Sequence, residues 1–251
     1  MRRPTGKRGR RPAPGSTRSA GFNPLSLGPL HFYDPQDAVL SASNVTSIVD
    51  TGSAPEDVIQ ATAARYPVIY PSEPLMGGED AWGVFPNQNL YDTSWSPGAN
   101  DYFICFAMRQ ITSQSNGAYC EGFNAASYFL IRENGVTGNA QCIVGGETVT
   151  TTTPMVGVLR VVMFAAHSVN GWEFWIDNIS EGTGVGAFVP PALNFHIGAR
   201  ASETAGSNVL FGQFGVYPLA NIGATERQQL LDYYQALYAT GFASGFDGGF
   251  A

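Results

Sequence analysis

The segment 102–108 (YFICFAM) is apolar at every position and follows a Pro97-Gly98 turn. A strand without a wet face is buried on both faces. The segment 156–166 (VGVLRVVMFAA) is a second run of the same kind. Shorter β-compatible segments surround these two. They are 31–34, ended by Pro35, then 66–70, 82–85, 118–123, 127–132, 140–144 and 195–198, and finally 209–216. Gly, Asn and Pro separate them, and the Thr-rich segment 147–153 suits a strand with one wet face. In 172–176 (WEFWI), Trp172, Phe174 and Ile176 fall on one side and Glu173 and Trp175 on the other. Asp177-Asn178 then turns the chain. Evenly spaced short strands with turn signals predict an all-β sandwich or jelly roll. A charged fraction of 13% and 30 glycines fit turn-rich β structure better than a helix bundle.

One helix is predicted over 225–238. Leu230, Leu231, Tyr234, Leu237 and Tyr238 form a single apolar stripe, and Gly241 supplies a stop. It is expected to cover a sheet edge or an end of the sandwich. The segment 23–30 (NPLSLGPL) is expected to be an extended bridge.

Charge divides the chain. Arg2, Arg3, Lys7, Arg8, Arg10, Arg11 and Arg18 are 7 of its 13 basic residues, and none of its 20 acidic residues falls in the first 18 positions. The remainder therefore carries 6 − 20 = −14. A basic, Pro/Gly-rich stretch cannot bury enough apolar surface to fold alone. Residues 1–21 are accordingly a docking arm, 22–240 the sandwich domain, and 241–251 a Gly/Phe-rich tail. Phe246 and Phe250 in that tail are further candidate assembly contacts, on a neighbour or on the body itself. Arginine in place of lysine favours fixed bidentate contacts over a plain charge cloud, with protein ahead of nucleic acid as partner and an idle solvated tail as the remaining reading.

Several blocks resemble the concanavalin A-like (laminin G-like) jelly-roll domain of bacteriophage virion structural proteins. Tyr33-Asp34 with Asp37, Val49-Asp50-Thr51-Gly52, and Ala61-Thr62-Ala63-Ala64 with Pro67 follow its opening elements. WEFWIDN (172–178), NFHIGARA (194–201) and the closing strand-plus-helix, with Tyr217, Leu219, Glu226, Arg227 and Tyr234 in step, follow its ending. Asn178 stands where the family has Gly, and Ile222-Gly223 where Leu-Ser caps the helix. The resemblance implies a concanavalin A-like sandwich with one C-terminal helix and a place in a virion.

The chemistry-bearing residues favour binding over catalysis. Glu173, Asp177 and Glu181 are spaced by four, but they lack the family's paired-carboxylate pattern and read as a solvated rim. His31 and His196 sit between apolar neighbours and His167 follows an apolar run; all three read as satisfied wall residues. No nucleophile elbow and no phosphate-binding loop occurs. Cys105, Cys120 and Cys142 lack zinc-ligand spacing and are expected as reduced thiols in or near the core. Glu79, Asp80, Asp92 and Asp101 are the candidate oxygen ligands for calcium; the spacing does not require it, and no cofactor is expected. The loop 77–100 brings Trp82, Asn87, Asn89, Tyr91, Asp92 and Trp95 together, the aromatic-plus-amide chemistry of a glycan site. Core or subunit-contact roles are the alternative for these aromatics. No apolar run is long enough to span a bilayer.

The expectation is a non-enzymatic virion component, most simply a capsid decoration (cement) protein held by its arm to the major capsid protein or to a tail protein, and a homo-oligomer. Host glycan binding in the manner of a lectin, on a tail or fibre, is the alternative.

Overall fold

The computed structural model describes residues 21–86, 88–92, 101–124, 127–168, 170–185, 194–199 and 207–238. The arm and the Phe-rich tail, and with them the candidate assembly contacts Arg2, Arg3, Lys7, Arg8, Arg10, Arg11, Arg18, Phe246 and Phe250, lie outside these.

The fold is an all-β jelly-roll-type sandwich carrying one C-terminal helix. In chain order its strands are β1 (His31–Ser41), β2 (Asn44–Asp50), β3 (Val58–Ile59), β4 (Val68–Glu73), β5 (Glu79–Val84), β6 (Leu90–Asp92), β7 (Tyr102–Gln110) and β8 (Ala118–Asn124). They continue with β9 (Ser127–Glu133), β10 (Asn139–Val144), β11 (Glu147–Pro154), β12 (Leu159–His167), β13 (Gly171–Ile176), β14 (Ile179–Gly184), β15 (Asn194–Ile197) and β16 (Val209–Pro218). The helix α1 spans Ala224–Leu237.

Neighbouring strands pair antiparallel. A back layer runs β14-β13-β12-β7-β16-β5 and a front layer β11-β10-β9-β8-β15-β6-β3-β2. The β1–β2 hairpin and the β4–β5 pair join the layers on one side. On the other side side chains close the gap. Trp172 Nε1 donates to Glu147 Oε2 at 2.9 Å, and Glu181 accepts from Thr152 N–H and the Thr153 hydroxyl.

The first long apolar run behaves as its composition requires; the second does so only from Leu159 onward, since Val156 and Val158 precede β12 and are exposed. All nine residues of β7 are buried. Ile104, Phe106 and Met108 enter the core between the layers, while Phe103, Cys105 and Ala107 face outward under α1. In the inner core Phe106 stacks on Phe214 at 4.8 Å, and Phe129 on Phe164 at 5.2 Å. The alternation in β13 is as expected, with Trp172, Phe174 and Ile176 inside and Trp175 on the outer face.

The helix covers the outer face of the back layer, not an edge or an end. Leu230, Leu231, Tyr234 and Tyr238 pack there against the outward residues of β7, β12 and β16. Arg227 lies over the Trp175 ring at 4.6 Å. Gly223 offers no capping side chain, so half of a capping box survives: Gly223 N–H donates to Glu226 Oε2 at 2.9 Å. Asn178 also serves the helix. It holds a left-handed φ of 61°, and its Nδ2 donates to Gln228 Oε1 at 3.0 Å.

Two local expectations change. Residues 24–27 form a 3₁₀ turn, because the Asn23 side chain accepts the Leu25 N–H and Pro24 sets the first turn. Pro35 does not end the first strand. β1 continues to Ser41 by leaving β16 after Tyr33 and pairing onward with β2, with a shift of register between Tyr33 and Ala38.

Candidate functional site

Two places gather polar side chains, on opposite outer faces of the sandwich. The first lies on the front layer beside β6. Phe195 and Ile197 of β15 enter the core, so His196 between them points to the outer face. Gln60 Nε2 donates to Asn89 Oδ1 at 2.6 Å and to Asn89 O at 3.1 Å. Asn89 Oδ1 is thereby an acceptor, which leaves Asn89 Nδ2 as the donor facing His196 Nδ1 at 3.4 Å. His196 Nδ1 therefore accepts, and Nε2 carries the proton. Burial lowers the His196 pKa to about 4, so the ring is neutral near pH 7. Glu121 of β8, also buried, sits directly across from His196. The result is a firm polar floor on a sheet face.

The predicted glycan residues divide around this floor. Tyr91 and Asp92 lie on β6, in register with His196 and Phe195. Asn87 and Trp95 lie outside the described residues. Trp82 is a correction: its ring is fully buried and stacks on Phe211 at 4.7 Å, so it presents no face to a ligand. Its position on β5 directs it into the core, where an indole contributes more by area than at a rim.

The second place is a cavity of about 570 Å³ between α1, β1, β5 and β16. Its origin is topological. β5 pairs with β16 along Val209–Phe211 and β1 along Phe214–Val216, so the edge of β16 changes partner at Gly212-Gln213. The cavity fills that break. Sequence reasoning missed it, because its lining comes from six separated segments.

Other candidates have structural partners. Asp177 binds Arg160 at 2.7 Å and accepts the Val161 N–H, Glu181 closes the β11–β14 side, and Glu173 lies 3.7 Å from His167. His31 Nδ1 donates to the buried Asp50 carboxylate at 2.8 Å. Among the described residues no three metal-binding side chains converge. Of the calcium candidates, Asp80 accepts the Ser72 N–H and Asp101 the Ser168 N–H. The Ser168 hydrogen bonds lower the Asp101 pKa. The three cysteines are free and buried, and burial pushes their thiols well above the usual range. Among the described residues no helix is long and apolar enough to cross a membrane.

No protein-family model matches the sequence, and no curated protein matches it. Solved structures do resemble the fold. Domain 4 of AbnA, an extracellular GH43 arabinanase from Geobacillus stearothermophilus, solved with arabinotriose, superposes with a TM-score of 0.53 at 11% identity, over 66% of this chain and 81% of that one. The binding domain of Paraclostridial Mosquitocidal Protein 1 gives 0.59 at 10% identity, over 84% and 53%. Botulinum neurotoxin type C, which depends on interaction with two ganglioside molecules to enter cells, gives 0.55 at 9% identity, over 77% and 52%. The chain thus spans about half the length of the two toxin structures. At these identities the likeness is one of fold.

Proposed function

We propose that this chain is a lectin-like carbohydrate-binding module, a binding protein and not an enzyme, whose glycan site is the front layer at β6 with Asn87, Tyr91, Asp92 and Trp95. The carrying observation is the Gln60–Asn89–His196 network, a buried polar floor beside the strand that bears Tyr91 and Asp92. A sugar site needs hydrogen-bonding groups held in fixed directions, and a hydrogen-bonded network on a strand supplies that rigidity. The arabinotriose of the arabinanase domain and the gangliosides of the neurotoxin support sugar as the ligand class for a sandwich of this kind. The test is a glycan array with the full chain. Reproducible binding that disappears in Trp95→Ala and Asp92→Asn supports the reading; silence across the array, or binding that both variants retain, contradicts it.

A second reading is favoured by the charge division of the sequence: a virion component fixed by its arm, with the glycan face turned outward. Incorporation of the chain into particles, lost on deleting residues 1–21, is the result expected of it. The two readings are compatible, since α1 and β6 occupy opposite faces.

A further inference from the structure

The cavity at the β5–β1 break differs in chemistry from the front face. Asp34, Asp37, Glu79 and Asp232 give it four carboxylates, and Phe22 and Tyr233 give it aromatic walls, edge to face at 6.2 Å. Gln213 supplies the more specific observation. Its Nε2 donates to Asp34 Oδ2 at 2.7 Å. A carboxylate only accepts, so this contact fixes the amide orientation and leaves Oε1 as the other end. That Oε1 is buried with no hydrogen-bond partner, on a residue 8% exposed that lines the cavity. An orphaned buried acceptor costs about 1–3 kcal/mol unless a donor reaches it. The occupant is therefore a cation rich in N–H donors, suited to carboxylates and to aromatic faces. A guanidinium has five donors, no acceptor, and a plane that stacks on rings. Arg227 over Trp175 shows this contact elsewhere on the same helix.

We propose that this cavity is an arginine socket for the chain's own N-terminal arm, with Arg18 as the occupant. Phe22 is part of the cavity wall, and Arg18 precedes Gly21, where the described chain begins, by only three positions. Three residues reach at most about 10 Å, which keeps Arg18 within range of the socket. A tether that short gives an effective concentration on the order of millimolar, which favours the chain's own arm over that of a second copy. Seating Arg18 fixes the root of the arm on the α1 face and leaves the six basic residues from Arg2 to Arg11 available to a larger partner.

Trypsin kinetics on the full-length protein test this, with cleavage sites assigned by intact mass. In low salt, cleavage after Arg18 is expected to be about tenfold slower in the native protein than in a Glu79→Gln/Asp232→Asn variant, since proteolysis follows the population of the released segment. Cleavage after Arg8 serves as the internal reference and should be equal in both. Near-UV circular dichroism establishes that the variant is folded. Should it fail to fold, raising salt on the native protein provides the second measurement, and must speed cleavage after Arg18 selectively. Equal rates after Arg18, or no selective salt response, overturn the proposal. Protection that grows with protein concentration alongside a dimer in light scattering also overturns it, by assigning the socket to a second copy's arm.

Discussion

The hydroxyl oxygen of Tyr238, at the end of α1, accepts the backbone N–H of Gln213 at 2.9 Å. That amide lies in the break where β16 passes from β5 to β1. The ring reaches it because residue 212 is glycine: a Cβ there would stand 2.2 Å from the Tyr238 oxygen. The helix end thus supplies an acceptor at the break in the sheet, while Gln229, Asp232, Tyr233, Ala236 and Leu237 of the same helix line the cavity.

Tyr238→Phe removes one oxygen and leaves the Gln213 N–H buried without an acceptor. The expected loss is about 1–3 kcal/mol of stability. Urea unfolding should show a lower midpoint with an unchanged slope.

Asp50 organises the start of the fold. Its carboxylate accepts from the N–H groups of Phe32, Gly52 and Glu56 and meets His31 Nδ1, all at 2.8 Å. Asp50→Asn turns an NH₂ group toward these donors and removes the charge. A loss of about 3 kcal/mol or more is expected, read by thermal or denaturant unfolding.

The front-face floor is sensitive to acid. His196 has a folded pKa of about 4 against an ordinary 6.5, so the unfolded chain takes up the proton first. Stability is full above about pH 6.5 and falls as pH drops toward 4, by up to about 3 kcal/mol. Protonation would also set the Nδ1–H against Asn89 Nδ2, donor against donor. His196→Gln should flatten the pH dependence of the unfolding midpoint in this window.

Two glycines with left-handed φ separate backbone strain from crowding. Gly146 has φ +94° and open space, whereas Gly171 has φ +88° and would place a Cβ 1.9 Å from Gly184 O. Gly146→Ala is expected to cost about 1 kcal/mol from the backbone alone. Gly171→Ala should cost at least about 2 kcal/mol, because β13 and β14 must also separate. Differential scanning calorimetry of the pair distinguishes the two contributions.

Much of the sandwich is legible in the sequence because it rests on local patterns. The unbroken apolar run in β7, the alternation in β13 and the stripe on α1 each follow from neighbouring residues alone. What local pattern does not carry is partner choice. Pro35 looks like a strand end until β2 is present to take up the departing chain. Trp82 looks like a sugar platform because its loop holds other aromatics and amides, yet β5 turns it onto Phe211. The Gln60–Asn89–His196 floor joins three distant segments; its sequence signals are Asn89 among the loop's amides and a histidine alternating with Phe195 and Ile197, while Gln60 carries none. The cavity around Gln213 depends on two strands sharing one edge, which no spacing announces.

The most direct measurement is hydrogen–deuterium exchange on the full chain, with and without the tightest glycan found on an array. Slowed exchange is expected in residues 87–100 and in β6 and β15, with α1 and β16 unchanged. Slowed exchange confined to the α1 face, or no glycan-dependent change anywhere, would contradict it.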